Sequence, residues 1–198
     1  YKADELVYLL DNADAEVVFY QACYAMRIWE IRERLPKVKL LVQIDDGTEA
    51  LLKGAVDYER AIRDHAPLAR QTQNPEATYM LYTGGTTGMP KGVMYPLDAF
   101  TEFFMRGFPP MIGLPPFEDA AQFGPAARQM VDANTTIVAM SGPPLMHGTG
   151  CWLGLMFPHM LGGTSVLLEN RGFKPEEVWS TVERNRVSQI IIVGDAFA

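Results

Sequence analysis

Short apolar runs alternate along this chain with segments whose apolar residues return every three or four positions, the two periods of strands and helices. Leu6, Val7, Leu9 and Leu10 predict a short amphipathic helix from Asp4 to Leu10, closed by the turn chemistry of Asp11-Asn12-Ala13-Asp14. Residues 15–20 then predict a strand, and residues 22–35 a helix with Met26 and Trp29 turned inward, ended by Pro36. Leu40 to Ile44 predicts the next strand, closed by Asp45-Asp46-Gly47. Strand, helix and strand in so short a stretch make a βαβ unit, which requires a parallel sheet.

The pattern continues in the same style. Residues 50–65 predict a helix with Leu51, Leu52, Val56, Ala61 and Ile62 on one face and a solvated charged face opposite. Thr78 to Tyr82 predicts a buried strand, and residues 97–106 a helix. The stretch 107–125 holds Pro109, Pro110, Pro115, Pro116 and Pro125, which remove donors and fix φ, yet it is apolar; a loop packed on the core is expected. Strands are expected at 135–140, 163–169 and 189–193, with helical segments at 152–161 and from Pro175. Pro175, Glu176 and Glu177 suit a first helical turn. The order of elements predicts an α/β fold, with a largely parallel sheet or sheets flanked by helices.

The densest chemistry lies in Tyr82-Thr83-Gly84-Gly85-Thr86-Thr87-Gly88-Met89-Pro90-Lys91-Gly92. Its glycines allow sharp bends and close approach to a ligand, and successive N–H groups in such a bend form a nest for anionic oxygens. Thr83, Thr86 and Thr87 add hydroxyls and Lys91 a mobile positive charge, so a polyphosphate is the natural guest. The Walker pattern G-x-x-x-x-G-K-[ST] is not met: Pro90 precedes the lysine and Gly92 follows it, where a metal-binding hydroxyl should stand. The spacing also fails G-x-G-x-x-G, which excludes a dinucleotide fingerprint.

Composition narrows the classes further. The chain of 198 residues is 48% hydrophobic and 21% charged, the balance of a globular protein with a substantial core. A formal charge of −7 without a dominant basic segment argues against a nucleic-acid surface. Cys23 and Cys151 lack metal-like spacing and read as reduced thiols. The apolar run 151–161 is too short to span a bilayer. The cytoplasm is the expected location. A start at Tyr1 without methionine and an end just after a strand suggest a piece of a longer protein.

The glycine-rich run resembles the signature loop of the adenylate-forming superfamily, written near [YT]-[ST]-[SG]-G-T-T-G-x-P-K-G. That superfamily contains acyl-CoA synthetases, luciferases and peptide-synthetase adenylation domains. Gly84 stands where many members carry serine. Downstream, Pro144-Leu145-Met146-His147-Gly148-Thr149-Gly150 is similar to the P-L-x-H-x-x-G segment of acyl-CoA synthetases. The resemblance implies that residues 1–198 belong to the large N-terminal adenylation domain, with the mobile C-terminal domain outside the chain. It implies activation of a carboxylic acid with ATP to an acyl-adenylate and pyrophosphate, then transfer to the thiol of coenzyme A.

On the same footing, Thr83, Gly84, Gly85, Thr86, Thr87, Gly88 and Lys91 would hold the phosphates, with Lys91 drawing charge toward the departing pyrophosphate. Mg²⁺ would bridge phosphate oxygens, and its protein ligand in relatives is a glutamate in a later motif, so no metal ligand is assigned here. His147 would position the acyl carboxylate or the thiol, and Trp152 and Met156, with Leu155, would line the acyl tunnel or serve the core. The motif wording is closest to fatty-acid–CoA ligases, including those acting on bulky, sterol-derived acids. An acyl-AMP ligase or a peptide-synthetase adenylation domain would instead pass the acyl group to a carrier protein. A non-catalytic nucleotide-binding module is the alternative outside the enzymes; the isolated segment itself is expected to be incompetent for turnover.

Overall fold

The computed structural model describes residues 1–69, 71–72, 74, 76–84, 89–168 and 174–194. The chain divides into two compact units, one of residues 1–73 and 82–92, the other of residues 74–81 and 93–198.

The first unit carries the anticipated βαβ arrangement. Helix α1 (Ala3–Asn12) precedes strand β1 (Val17–Gln21), helix α2 (Ala25–Ile31) and strand β2 (Leu40–Ile44). Strands β1 and β2 are parallel, with Val17 opposite Leu40, and β2 also pairs in parallel with the two-residue β3 (Val56–Asp57). Val18, Tyr20, Ala25, Ile28, Ile31 and Leu35 form the core, with Leu6, Val7 and Leu10 of α1 packed on it.

Two expectations fail here. Met26 is 63% exposed and Trp29 38%, so neither faces inward; the apolar stripe of α2 runs through Ala25, Ile28 and Ile31. The Arg32 guanidinium lies over the Trp29 ring, a cation–π contact that keeps the indole at the surface. Residues 50–65 are not one helix either. Gly54 has φ +90°, Val56 joins the sheet, and Asp57 caps helix α3 (Tyr58–Asp64) by accepting from Arg60 N at 2.7 Å. Leu51 and Ile62 are exposed. The Asp57 cap marks the helix start by satisfying a first-turn N–H that has no intrahelical partner.

Asp46 holds the turn after β2 together. Its carboxylate accepts from the Thr48 hydroxyl and amide and from Cys23 N at 3.1 Å. The Thr48 hydroxyl, then these amides, lower its pKa from 3.8 to about 2 despite the opposing effect of desolvation. A depressed carboxylate stabilises the fold above its ordinary pKa and stops doing so as pH falls through the folded value. The denaturation midpoint of the wild type is therefore expected to exceed that of Asp46→Asn at neutral pH. The gap should close as pH drops from about 4 to about 2.

In the second unit the sheet is again parallel: β6 (Val138–Ser141) lies between β7 (Thr164–Val166) and β8 (Gln189–Ile191), with Val138 opposite Thr164 and Ala139 opposite Gln189. Helix α8 (Pro175–Asn185) starts with proline and two acids, as its sequence requires. The core is aromatic, built from Phe100, Phe104, Phe108, Phe117, Phe123 and Phe157 around Ile137, Ala139 and Leu161. Phe108, Phe117 and Phe123 come from the proline-rich stretch, which is indeed packed on the core. That stretch leads into helix α5 (Phe123–Asp132), which the sequence pattern did not suggest. Gly124 and Pro125 argue against a helix in general, but in a first turn the missing N–H costs little.

The glycine-rich run departs from the expected order. Strand β4 (Thr78–Thr83) is half-buried rather than buried, and its partner β5 (Lys91–Pro96) precedes helix α4 (Leu97–Gly107). The run therefore connects two strands of a hairpin, not a strand to a helix. Val93 and Tyr95 favour an extended chain, and the Tyr79 and Tyr95 rings lie 6.1 Å apart across the pair. Pro96, as N-cap of α4, separates the strand from the helix.

Candidate active site: a threonine–lysine hairpin and a histidine-capped helix

Within the first unit, Thr83 ends β4 and Lys91 begins β5. The Thr83 hydroxyl donates to the Lys91 carbonyl at 3.5 Å, a long bond that sets the two residues side by side. Both are exposed, as is Gly84. A Cβ added at Gly84 would meet nothing within 4 Å, so a serine fits this backbone without displacement. Glycine here removes a hydroxyl without any steric need for its removal. Gly85, Thr86, Thr87 and Gly88 lie outside the described residues.

The stems of the hairpin tip are held by α1. The Tyr8 hydroxyl donates to the Pro90 carbonyl at 3.1 Å, and the Tyr82 hydroxyl donates to Asn12 Oδ1 at 2.6 Å. Burial raises the Tyr82 phenol above its ordinary pKa, with the charges of Tyr8 and Asp14 adding to it. Sequence reading missed Tyr8 and Asn12, because nothing in an amphipathic helix of this length announces a partner some seventy or eighty residues away.

His147 belongs to the second unit, at the N-cap of a helical stretch made of α6 (Gly148–Cys151), a π-helical turn (Trp152–Met156) and α7 (Phe157–Met160). Its Nδ1 accepts from Thr149 N at 3.2 Å. A neutral imidazole with Nδ1 as acceptor carries its proton on Nε2. The exposed ring thus offers one N–H donor, fixed in tautomer and direction by the cap.

The helix behind His147 sits unusually close to the end of β6. A Cβ at Gly150 would lie 2.7 Å from the Pro143 and Pro144 carbonyl oxygens, and one at Gly154 2.6 Å from Ser141 Cβ. Only glycine allows that approach. The π turn falls at this contact, where a local change of helical pitch lets the chain follow the strand end.

Trp152 and Met156 both pack against the aromatic core. The Trp152 ring meets Tyr95 and Phe100 edge-on at 5.5 Å each, and its buried Nε1 has no hydrogen-bond partner among the described residues. Burial pushes the neighbouring Cys151 thiol up, which suppresses thiolate and makes it a poor nucleophile. A cavity of about 460 Å³ opens elsewhere in this unit, lined by Ile112, Leu114, Met130 and Ile137, and includes none of the sequence-derived site residues. Among the described residues no group of three or more His, Cys, Asp or Glu is placed to hold a metal ion. Nor is any helix among them long and apolar enough to cross a membrane.

The profile of the family described as AMP-binding enzyme matches residues 1–198. The chain belongs to the AMP-binding enzyme family. It is 34% identical to the medium-chain acyl-CoA ligase Mig of Mycobacterium avium over 211 residues, covering 100% of this chain and 36% of that protein. It is 30% identical over 201 residues to the 3-oxocholest-4-en-26-oate–CoA ligase of Rhodococcus rhodochrous, covering 100% of this chain and 35% of the ligase. Among solved structures, the anthranilate CoA ligase AuaEII in complex with anthranoyl-AMP superposes with a TM-score of 0.68 at 21% identity, covering 96% of this chain and 33% of that one. That likeness establishes the fold. The chain spans about a third of the length of these relatives.

Proposed function

We propose that this AMP-binding chain is part of the N-terminal adenylation domain of an ATP-dependent acyl-CoA ligase, acting on fatty or similarly apolar carboxylic acids. The observation that carries the reading is the pairing of Thr83 with Lys91 on adjacent strand ends, within a run that resembles the adenylate-forming signature. The relatives' names, both acyl-CoA ligases, support the same class of reaction. The bulky acid in one of those names supports an apolar carboxylic acid as the substrate.

In this reading the substrate carboxylate attacks the α-phosphorus of ATP, and pyrophosphate leaves. Two anions must meet, so the site has to offset their repulsion with fixed donors and cations. Lys91 contributes an ammonium group, and Thr86 and Thr87 their hydroxyls, to the β- and γ-phosphates, with Thr83, Gly84, Gly85 and Gly88 completing the loop. Mg²⁺, carried in with the nucleotide, would supply charge neutralisation on the phosphate oxygens. His147 offers Nε2–H to a carboxylate oxygen of the acid and so orients it. Trp152 and Met156 form the apolar wall beside it. Coenzyme A then accepts the acyl group on its thiol, releasing AMP, in the cytoplasm.

The test is a product analysis of the full-length protein with MgATP and a panel of carboxylic acids, with and without coenzyme A. AMP and pyrophosphate that depend on the acid, and thioester only with coenzyme A, are the expected products. ADP, or no acid-dependent release, would overturn the reading.

A further inference from the structure

We propose that Tyr8 and Asn12 are positioning residues for the nucleotide phosphates, clasping both ends of the glycine-rich run from one face of α1. The inference rests on the reading of that run as the ATP-phosphate site.

The placement is specific. Tyr8 and Asn12 are four residues apart on α1 and so share a face of the helix. Tyr8 grips the carbonyl of Pro90, the residue immediately before Lys91. Asn12 accepts from Tyr82, the residue immediately before Thr83. One bond thus fixes the Pro90 backbone and the other the Tyr82 side chain, each one position ahead of a residue of the phosphate-binding run. Together they set the separation of the two strand ends from outside, while the long Thr83–Lys91 bond closes it from within.

The helix is suited to act as a fixed frame. Leu6, Val7 and Leu10 pack on the core of the first unit, on a different face from Tyr8 and Asn12. Its C-terminal end is tied down by Lys37, whose ammonium group lies 2.9 Å from the Asp11 carboxylate and 2.7 Å from that of Asp14. Arg34 reaches Asp4 at 2.8 Å near the other end. A hydroxyl on a rigid helix costs little ordering when the phosphates arrive, which is the benefit of preorganised donors. Neither Tyr8 nor Asn12 touches the nucleotide; both act through Lys91 and Thr83.

The experiment compares the full-length wild type with Tyr8→Phe, Asn12→Ala and Asn12→Asp in acid-dependent pyrophosphate release. Tyr8→Phe keeps the ring and removes only the donor; Asn12→Asp keeps an acceptor oxygen for Tyr82. Tyr8→Phe and Asn12→Ala should each lower kcat/KM for ATP by about 3- to 10-fold, the range of a single hydrogen bond. The KM for the acid should stay within about twofold, and Asn12→Asp should recover most of the loss. Thioester formation from pre-formed acyl-adenylate and coenzyme A should be unchanged, a step that a general loss of stability would also slow. Wild-type ATP parameters in both variants, or equal losses for ATP and acid, would overturn the inference alone. No acid-dependent AMP from the wild type would overturn the underlying reading, and the inference with it.

Discussion

Replacing Lys91 by alanine in the full-length protein should reduce acyl-adenylate formation by about 100- to 1000-fold, the usual loss when one preorganised group facing developing charge is removed. The lysine is exposed at the first position of β5, and its carbonyl accepts from the Thr83 hydroxyl. Among the described residues no buried contact is lost by truncation, and stability should change by no more than about 0.5 kcal/mol. Lys91→Arg should restore part of the rate, since charge returns but a planar guanidinium replaces a compact point charge. The measurement is kcat/KM for ATP from pyrophosphate release, alongside a denaturant titration. A Lys91→Ala protein with wild-type kcat/KM would remove Lys91 from the chemistry altogether.

The elements governed by local apolar period were readable in advance, and those governed by a single residue's geometry were not. Strand β2 spans the residues its apolar run marks out, and α8 opens on the proline and acids that suit a first turn. The parallel α/β arrangement followed from strand–helix–strand spacing and holds in both units. The segment 50–65 misled because a continuous apolar period conceals the interruption made by Gly54 and Asp57. Trp29 misled because a large apolar ring can be kept at the surface by a guanidinium stacked on it.

The site divides along the same line. Thr83, Gly84 and Lys91 are proposed from residue type and spacing, and His147 from the resemblance of its segment to P-L-x-H-x-x-G. What the structure adds is relational. Lys91 belongs to a strand, not to a loop entering a helix, since β5 intervenes before α4. His147 is oriented by the Thr149 amide, which decides that its donor is Nε2–H. Tyr8 and Asn12 reach the run from the far end of the sequence. Such pairings have no period or local composition, so only the folded chain reveals them.

Phe104→Ala should destabilise the second unit by about 3–5 kcal/mol, the usual cost of emptying a buried aromatic site. Phe104 is 1% exposed, and its ring centroid lies 4.9 Å from that of Phe100 and 4.7 Å from that of Phe108. Phe100 in turn stacks on Tyr79 of β4 at 4.8 Å, so the cluster ties α4 to the hairpin stem. Truncation would remove both the transfer free energy of the ring and its edge contacts, and the aromatic neighbours cannot all close on the space without leaving their own partners. Phe104→Leu should cost markedly less, because most of the volume is kept. The readout is the midpoint of urea unfolding followed by near-ultraviolet circular dichroism, which reports the packed aromatic rings. Equal midpoints for Phe104→Ala and the wild type would mean that the cluster does not hold the unit together. Lys91→Ala and Phe104→Ala then make opposite predictions, rate without stability in one and stability before rate in the other, because Lys91 is exposed while Phe104 is buried in an aromatic cluster.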